Sequence, residues 1–392
     1  MTADKSTEAE PHQSQGLADL GNWRTKPHSD WAFSNVDKLV PVASINLETS
    51  RPTAPEFGSL LTDEIETGDG RTSISCALRD LDTDIVLACK DGIPAALWTA
   101  PHADAHAPHL AFSVSKSITG LAAGVAWAEG HLDLDAVIVT LVPECAGSGF
   151  GDATVRNLLD MQVSLDIDET YAGTSGFGAR YCRAVLWDPP EPGEEIDHFG
   201  LLTTIGKGDE DHGGPFRYRS ANSDMIGVVL ERAVGQRFNR FVSDVLWEPM
   251  GGEGKAHVTV DRRGMAQSAG GISCTAFDLA RLGEIMRCNG AVGGRQVLSP
   301  AFVSDTIHGG DAAAWRDGDW GGLLPGHRYR NQWYARGDRD GCVYAKGIHG
   351  QWLYINPRHR ATIVKFSSQA AAADPELDAA TLRLLDAIAE RL

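Results

Sequence analysis

Segments with the pattern of β-strands lie near both ends of this 392-residue chain, and a long helix-rich stretch separates them. Residues 84–89 form a predicted strand that ends at the turn 90–92 and returns at 95–98, as in a hairpin. More strands are predicted toward the C-terminus, at residues 328–335, 341–348, 351–355 and 362–367. An amphipathic helix at 375–392 closes the chain. Strands from both ends indicate one antiparallel sheet, with the helical part inserted between them.

The helical middle sets the expected domain organisation. Helices are predicted at residues 113–129, 155–161, 224–234 and 275–286. The loop-rich stretch 172–214 is long enough to be a functional rim. We therefore predict an α/β fold of the α+β type, an antiparallel sheet flanked by helices with an inserted, mostly helical region. The expected parts are a flexible tail at 1–28, a sheet domain at 29–112 plus 248–392, and a mostly helical domain at 113–247.

The charge of the chain limits its partners. Asp and Glu outnumber Lys and Arg by 53 to 35, and a net charge of -18 gives no electrostatic gain from binding nucleic acid. The sequence contains no uncharged apolar run of membrane-spanning length, and its polar start lacks the apolar core of a secretion signal. The seven cysteines are scattered and never spaced Cys-x-x-Cys, which predicts neither a disulfide framework nor a zinc knuckle. We expect a cytoplasmic protein with no nucleic-acid or membrane partner.

The clearest candidate for chemistry is the one Ser-x-x-Lys of the sequence, Ser113-Val114-Ser115-Lys116. It opens a predicted helix, so Ser113 and Lys116 lie one turn apart on the same face. A serine hydroxyl becomes an effective nucleophile when a neighbouring base takes its proton. Lysine can be that base when burial among apolar groups keeps it neutral. Such a short motif also arises by chance, so the interpretation depends on further segments.

Three later segments follow this motif in order. They are residues 216–220 around Tyr218, residues 269–281 at the start of a predicted helix, and Gly347-Ile348-His349-Gly350 between two predicted strands. With residues 154–161, they resemble the serine β-lactamase and penicillin-recognising superfamily, in its class C and esterase branch, from about residue 30 to the C-terminus. This resemblance implies a β-lactamase-like fold.

A narrower resemblance is to the 6-aminohexanoate-dimer (nylon-oligomer) hydrolases. It rests on residues 31–33, 113–117, 202–204, 219–222, 347–351 and 363–368. The resemblance implies that Ser113 is the nucleophile, Lys116 the general base and Tyr218 a second acid/base. It also implies an oxyanion hole formed by the N–H groups of Ser113 and Ile348.

The expected substrate-binding residues are four. Tyr171 and Trp187 match positions of the resembled family that close over the substrate. Ala269 stands where that family carries an asparagine or a histidine near the substrate. Tyr334 is an aromatic candidate for the wall of an apolar cleft, although core packing would explain it nearly as well.

Two departures from the β-lactamase pattern bear on the substrate. Ser220 stands where β-lactamases carry the asparagine of Tyr-x-Asn, and their Lys-Thr-Gly appears here as residues 346–348 or, one register earlier, 345–347. Penicillin hydrolysis is therefore disfavoured. The expected activity is hydrolysis of small linear amides such as 6-aminohexanoate dimer through a serine acyl-enzyme, with short carboxyl esters as parallel substrates. The alternatives are a plain carboxylesterase and a non-catalytic binding protein of the same fold.

No metal and no cofactor is expected. His102, Asp104, His106 and His109 could ligate a metal, but no second ligand group is present to complete the shell. A structural role is expected for His349, because a lysine-based site needs no histidine. The expected partner is a small-molecule amide or ester, and a homodimer is left open.

Overall fold

The computed structural model of the protein describes residues 18–68, 70–169, 175–195 and 197–392. Its strands are β1 Val42–Asn46, β2 Glu64–Thr67, β3 Gly70–Ser73, β4 Thr83–Lys90, β5 Ile93–Thr99, β6 His109–Leu110, β7 Ala256–Thr259, β8 Ile272–Cys274, β9 Ala291–Val292, β10 Arg295–Gln296, β11 Arg328–Arg330, β12 Trp333–Ala335, β13 Val343–Gly347, β14 Gln351–Asn356 and β15 Ala361–Ser367. Its α-helices are α1 Ser29–Ala32, α2 Ile74–Asp80, α3 Val114–Ala128, α4 Ile138–Leu141, α5 Val155–Leu159, α6 Gly176–Ala184, α7 His198–Thr203, α8 Ser220–Val234, α9 Phe238–Val242, α10 Glu248–Met250, α11 Ala276–Arg287, α12 Pro300–His308, α13 Ala312–Arg316 and α14 Pro375–Arg391.

The main sheet joins strands from both ends of the chain, as predicted. Its strand order is β11-β12-β13-β14-β15-β4-β5, and neighbouring strands are antiparallel. The hairpin β4–β5 turns at Asp91 and Gly92, both with positive φ, which is the backbone that an Asp-Gly turn supplies. This hairpin pairs with β15 and so links the N-terminal strands to those of the C-terminal region.

A second sheet, in the order β1-β7-β8-β6, lies beside the helical part. Its edge strand β6 ends just before α3, and β8 precedes α11. The antiparallel register pairs His109 with Cys274 and Leu110 with Ser273. The start of α3 is therefore held next to β8.

Helix α3 is buried almost along its full length. Gly120 and Gly124 allow this burial. A Cβ atom on Gly120 would lie 2.2 Å from the Asn331 carbonyl oxygen, and one on Gly124 would lie 2.5 Å from the Phe302 ring. A helix without a polar face belongs in the interior. The largest apolar cluster accordingly combines α3 and α8 with residues of the main sheet such as Leu87, Leu353 and Val364.

Three predicted segments differ from the observed structure. The strand expected at 328–335 is a hairpin, because Asn331 and Gln332 adopt positive φ. Their buried side chains stabilise this turn by donating to Thr306 Oγ1 at 2.9 Å and to the Leu158 carbonyl at 2.9 Å. The loop-rich stretch 172–214 contains α6 and α7, and α7 is capped by the Asp197 carboxylate, which accepts from the Gly200 N–H at 2.7 Å.

Residues 18–28 were expected to belong to a flexible tail, but the structure packs them against the body. Trp23 is 1% exposed, and its indole N–H donates to the Trp187 carbonyl at 2.8 Å. Its ring lies 5.9 Å from that of Phe33 and 6.2 Å from that of Phe112. Trp23 thus anchors a mostly polar segment to the body of the protein. The average composition of residues 1–28 gave no sign of this contact.

None of the described helices combines the length and the apolar character that a membrane crossing requires.

Candidate active site

The start of α3 presents Ser113 in a constrained turn. Phe112, the residue before it, has φ 44°, a left-handed conformation that is rare for a bulky side chain. Its ring is held by Phe33 at 4.9 Å and by Trp187 at 5.6 Å between ring centroids. Residues in such conformations persist when the surrounding packing holds them, and they concentrate at functional sites. This aromatic packing fixes the direction in which the Ser113 hydroxyl projects.

Lys116 lies one helical turn beyond Ser113 and is 2% exposed. Its Nζ atom donates to Ser113 Oγ at 3.1 Å, to Ser220 Oγ at 2.9 Å and to the Ala269 carbonyl oxygen at 2.9 Å. All of these acceptors are neutral. The predicted proximity of the serine and the lysine is therefore present in the structure.

Burial lowers the pKa of Lys116 to about 8, because the interior disfavours the ammonium form. The negative charges of Glu169 and Asp224 oppose this effect and favour the ammonium. The lysine is thus partly neutral near physiological pH, which is the state a proton acceptor needs.

Tyr218 completes the group of polar side chains around Ser113. Its hydroxyl is hydrogen-bonded to Ser113, and its ring lies 5.1 Å from Lys116 Nζ. Burial raises the pKa of Tyr218 well above its usual range, and the nearby charge of Glu169 acts in the same direction. Tyr218 therefore keeps its proton at neutral pH and can donate it.

The loop that contains Asp319 and Trp320 positions Tyr218. The Tyr218 N–H donates to Asp319 Oδ2 at 2.9 Å, and the Trp320 ring lies 4.7 Å from the Tyr218 ring. Lys346 Nζ lies 4.6 Å from the centroid of the Trp320 ring, on which it makes a cation–π contact. These contacts hold the phenol against the nucleophile helix.

The end of β13 brings the Ile348 N–H close to Ser113. A Cβ atom on Gly347 would lie 2.7 Å from the Ala111 carbonyl oxygen and 2.9 Å from the Ser113 nitrogen, so this strand packs directly on the turn before α3. Ser113 and Ile348 both stand at the beginning of a helical turn, where backbone N–H groups have no acceptor within the turn. Two such donors side by side can receive a developing oxyanion.

A small pocket opens at these groups. It is lined by Phe112, Ser113, Lys116, Tyr181, Trp187, Ser220, Gln267, Ala269, Gly270 and Ile348. Of the predicted substrate residues, Trp187 and Ala269 lie in this lining. Tyr171 lies outside the described residues.

Tyr334, predicted for the substrate cleft, lies elsewhere. It is buried in a second apolar cluster and stacks on Tyr344 at 5.1 Å and on Trp320 at 5.7 Å. Side chains alternate between the two faces of a strand, and on β12 the neighbours Trp333 and Ala335 face the other cluster. Tyr334 therefore supports the Trp320 loop from behind.

The same alternation determines on which face of β13 the Lys346 side chain lies. Ala345 belongs to the cluster around α3, whereas Lys346 Nζ lies on the other face and pairs with Asp378 of α14 at 2.7 Å. The lysine that could have gripped a substrate carboxylate is thus held by the closing helix. This orientation agrees with the departure from Lys-Thr-Gly noted in the sequence.

Sequence reasoning missed two residues that hold Lys116. Ser220 contacts the amine directly, and Asp224 lies behind Ala269, whose N–H donates to Asp224 Oδ1 at 2.9 Å. Both lie on α8, four residues apart and so on one helical face. Their position two and six residues after Tyr218 was the available signal.

The histidines considered as metal ligands have other partners. His102 Nε2 and His109 Nε2 lie 2.9 and 3.1 Å from the two oxygens of Asp84. The His106 ring stacks on Phe277 at 5.5 Å. Within the described ranges, no three His, Cys, Asp or Glu side chains are grouped so that they could hold a metal ion.

Fold and site together define a class, the β-lactamase-like hydrolases that carry a Ser-x-x-Lys at the start of a buried helix. The chain belongs to the beta-lactamase family, whose model matches residues 86–388. Within that family it is 33% identical over 365 residues to the 6-aminohexanoate-dimer hydrolase of Paenarthrobacter ureafaciens, which covers 91% of this chain and 90% of that protein. The resemblance inferred from the motifs is therefore confirmed.

Solved structures agree on the fold. A Bacillus anthracis protein provisionally named as a 6-aminohexanoate-dimer hydrolase superposes with a TM-score of 0.87, at 21% identity and over 98% of each chain. A family VIII carboxylesterase superposes with a TM-score of 0.60, at 14% identity, over 81% of this chain and 95% of the esterase. The predicted β-lactamase-like fold is confirmed.

Proposed function

We propose that the protein is a serine hydrolase that cleaves small linear amides, of which 6-aminohexanoate dimer is the favoured example, and that also cleaves short carboxyl esters. The observation that carries the proposal is the 3.1 Å contact between Ser113 Oγ and the buried Lys116 Nζ. The 33% identical relative, itself a 6-aminohexanoate-dimer hydrolase, supports the choice of substrate.

In the acylation step, neutral Lys116 accepts the Ser113 hydroxyl proton while Oγ forms a bond to the substrate carbonyl carbon. The carbonyl oxygen becomes an oxyanion, which the N–H groups of Ser113 and Ile348 stabilise. The C–N bond of the amide then breaks. The departing amine takes a proton from the Tyr218 hydroxyl, and Tyr218 regains one from the Lys116 ammonium.

In the deacylation step, a water molecule attacks the Ser113 ester. Lys116 accepts the water proton, directly or through Tyr218, and the same N–H groups hold the second oxyanion. The acyl–oxygen bond breaks, the proton returns to Ser113 Oγ, and the carboxylic acid leaves. Since esters have a better leaving group than amides, they need less help from Tyr218.

The pocket suits a narrow apolar acyl chain. Phe112 and Trp187 supply aromatic walls, and Lys116 joins Ser113 and Ser220 into one polar group of the lining. Apolar walls beside a group of polar side chains are typical of small-molecule sites. A methylene chain between two polar ends fits this pattern.

The experiment is to assay the purified protein on 6-aminohexanoate dimer and on a p-nitrophenyl ester in parallel. Both activities should fall by at least about 10³-fold in Ser113→Ala. Ser117→Ala is the matched control, because Ser117 lies on the same helix but donates to the Gln332 carbonyl at 2.6 Å. Ester cleavage without amide cleavage would favour a plain carboxylesterase.

A fluorophosphonate probe separates an enzyme from a non-catalytic binding protein. Stoichiometric labelling of the wild type, with none in Ser113→Ala, supports the proposal. An unlabelled wild type would favour the binding protein.

A further inference from the structure

Asp224 is a fully buried carboxylate on the far side of the chain segment that receives Lys116. Its Oδ1 atom accepts from the Ala269 N–H at 2.9 Å, and the Ala269 carbonyl accepts from Lys116 Nζ at 2.9 Å. Ala269 is thus hydrogen-bonded to the carboxylate through its N–H and to the lysine through its carbonyl. The arrangement links the charge of Asp224 to the position of the amine.

The carboxylate is held in place from its other side as well. The Tyr181 hydroxyl donates to Asp224 Oδ2 at 2.6 Å, and His198 Nε2 lies 3.2 Å from the same oxygen. Although burial by itself raises the pKa of Asp224, His198, Tyr181 and the Ala269 N–H outweigh it and leave the pKa below its usual value. Asp224 is therefore an anion inside the core.

The segment 267–270 is also fastened by its neighbours. Ser268 Oγ donates to the Ser223 carbonyl at 2.9 Å, and Thr119 Oγ1 donates to the Ser268 carbonyl at 2.9 Å. A Cβ atom on Gly227 would lie 2.3 Å from Ser268 Oγ, so α8 approaches this segment closely. The position of the Ala269 carbonyl thus depends on these contacts of Ser268 together with the Ala269 N–H bond to Asp224.

We propose that Asp224 is a positioning residue and the buried counter-ion of Lys116, which aligns the amine through Ala269 and sets the pH at which it loses its proton. This inference rests on the proposed function, because it takes Lys116 as the base. Among the described residues, the titratable or charged groups that face the lysine are Glu169, Tyr181, Tyr218 and Asp224, with His198 behind Asp224.

The test is Asp224→Asn, which keeps the shape of the side chain and removes the charge. The readout is the rate of acylation by a p-nitrophenyl ester as a function of pH, between about pH 6 and pH 10. Loss of the negative charge should move the midpoint to lower pH by about one unit, because an ammonium loses an electrostatic partner. The plateau rate at high pH should also fall, by about tenfold, because the Ala269 carbonyl is less well aligned.

Two matched variants decide what a shift means. Asp278→Asn removes another fully buried carboxylate, one that accepts from the Glu253 and Gly254 N–H groups, and should leave the midpoint unchanged. Glu169→Gln removes the other charge that the described residues place near Lys116. If only Glu169→Gln moves the midpoint, Asp224 is not the counter-ion and the inference is wrong.

Tyr181→Phe provides a second route if Asp224→Asn does not fold. It keeps the Asp224 charge but removes a hydrogen bond that neutralises part of it, so the midpoint should stay at the wild-type pH or move above it. A midpoint below that of the wild type would contradict the inference. Failure of the proposed function would look different, since the wild type would then show no hydrolysis, or Ser113→Ala would keep its activity, whatever the Asp224 variants do.

Discussion

Lys116 differs from an ordinary lysine because its amine is buried. Its amine is enclosed among neutral oxygens, and burial brings its pKa to about 8. The spacing of Ser113 and Lys116 predicted that the two side chains meet. It did not predict Ser220 or Asp224, because both come from α8, which lies about a hundred residues away in the chain.

A first prediction concerns the amine itself. Lys116→Met should lower the rate of acylation by about 10²–10⁴-fold, because it removes the general base. In the wild type the rate should rise with pH, reach half of its maximum near pH 8 and level off at higher pH, since the neutral amine is the active form. Stopped-flow kinetics with a p-nitrophenyl ester at several pH values measures both.

The matched control is Lys365→Met. Lys365 is equally buried, and burial lowers its pKa to about 7, but it donates to Ser367 Oγ away from the pocket. This variant should keep the rise of the acylation rate with pH. If the rise disappeared in Lys365→Met, the group that titrates would be Lys365 and not Lys116.

At the scale of elements, the contact between β13 and the start of α3 builds the site. The strands of the main sheet, with β11 and β12 taken as one, and the four longest helices were predicted from periodicity, and β13 was among them. Its distance from α3 was not predictable, because the two are far apart in sequence. The alternation of side chains along β13 also turned Lys346 toward α14 and left Ala345 on the side of the site.

A second prediction tests this contact with Gly347→Ala. The added methyl would meet the Ala111 carbonyl and the Ser113 nitrogen, so the strand must move away from the nucleophile turn. Acylation should fall by at least about tenfold, and the free energy of unfolding by about 1–3 kcal/mol. Burst kinetics and urea unfolding measure the two effects.

Gly322→Ala is the control for this change, because a Cβ atom at Gly322 would meet nothing within 4 Å. It should leave both quantities within error of the wild type. An unchanged rate of acylation in Gly347→Ala would mean that the Ile348 N–H is not part of the site.

At the scale of the molecule, the N-terminal segment and the main sheet are tied together near the site. Trp23 packs on Phe112 and on Trp187, so residues outside the predicted sheet domain support the pocket wall. The Asp84 carboxylate is hydrogen-bonded to His102, His109 and Ser368. These bonds join the start of β4 to the loop before α3 and to the chain after β15.

A third prediction concerns Trp23→Ala. Removing a buried tryptophan should lower the free energy of unfolding by about 3–5 kcal/mol. It should also slow acylation, because Phe112 loses a packing partner. Leu47→Ala, at a residue that is 71% exposed, should change stability by less than about 0.5 kcal/mol. Urea unfolding of both variants decides whether the segment is a tail or part of the core.

A fourth prediction concerns the pH dependence of stability at Asp84. Burial alone would raise the pKa of Asp84, but hydrogen bonds from His102 and His109 hold it well below 3.8. The carboxylate therefore stabilises the fold above about pH 4, and this contribution is lost as the pH falls further. The same carboxylate raises the pKa of His102 above 6.5, so the pairing stabilises below that pH and weakens as His102 deprotonates.

Asp84→Asn should lower the free energy of unfolding by about 3 kcal/mol near pH 5, since it breaks a buried pair. The difference from the wild type should shrink toward about pH 2 and above about pH 7. Urea unfolding across this range measures it, and a difference that does not vary with pH would show that the ion pairing is unimportant.

Local sequence was sufficient for several features of this protein. Hydrophobic periodicity and turn residues define the strands of the main sheet and the longest helices, because these patterns depend on near neighbours. The three-residue spacing of Ser113 and Lys116 likewise settles that they share a helical face. Tertiary packing was needed for the rest: it buries Lys116 and so lowers its pKa, and it turns Lys346 away. It also brings Ser220, Asp224 and Ile348 to the serine, since burial and long-range contacts depend on the whole chain.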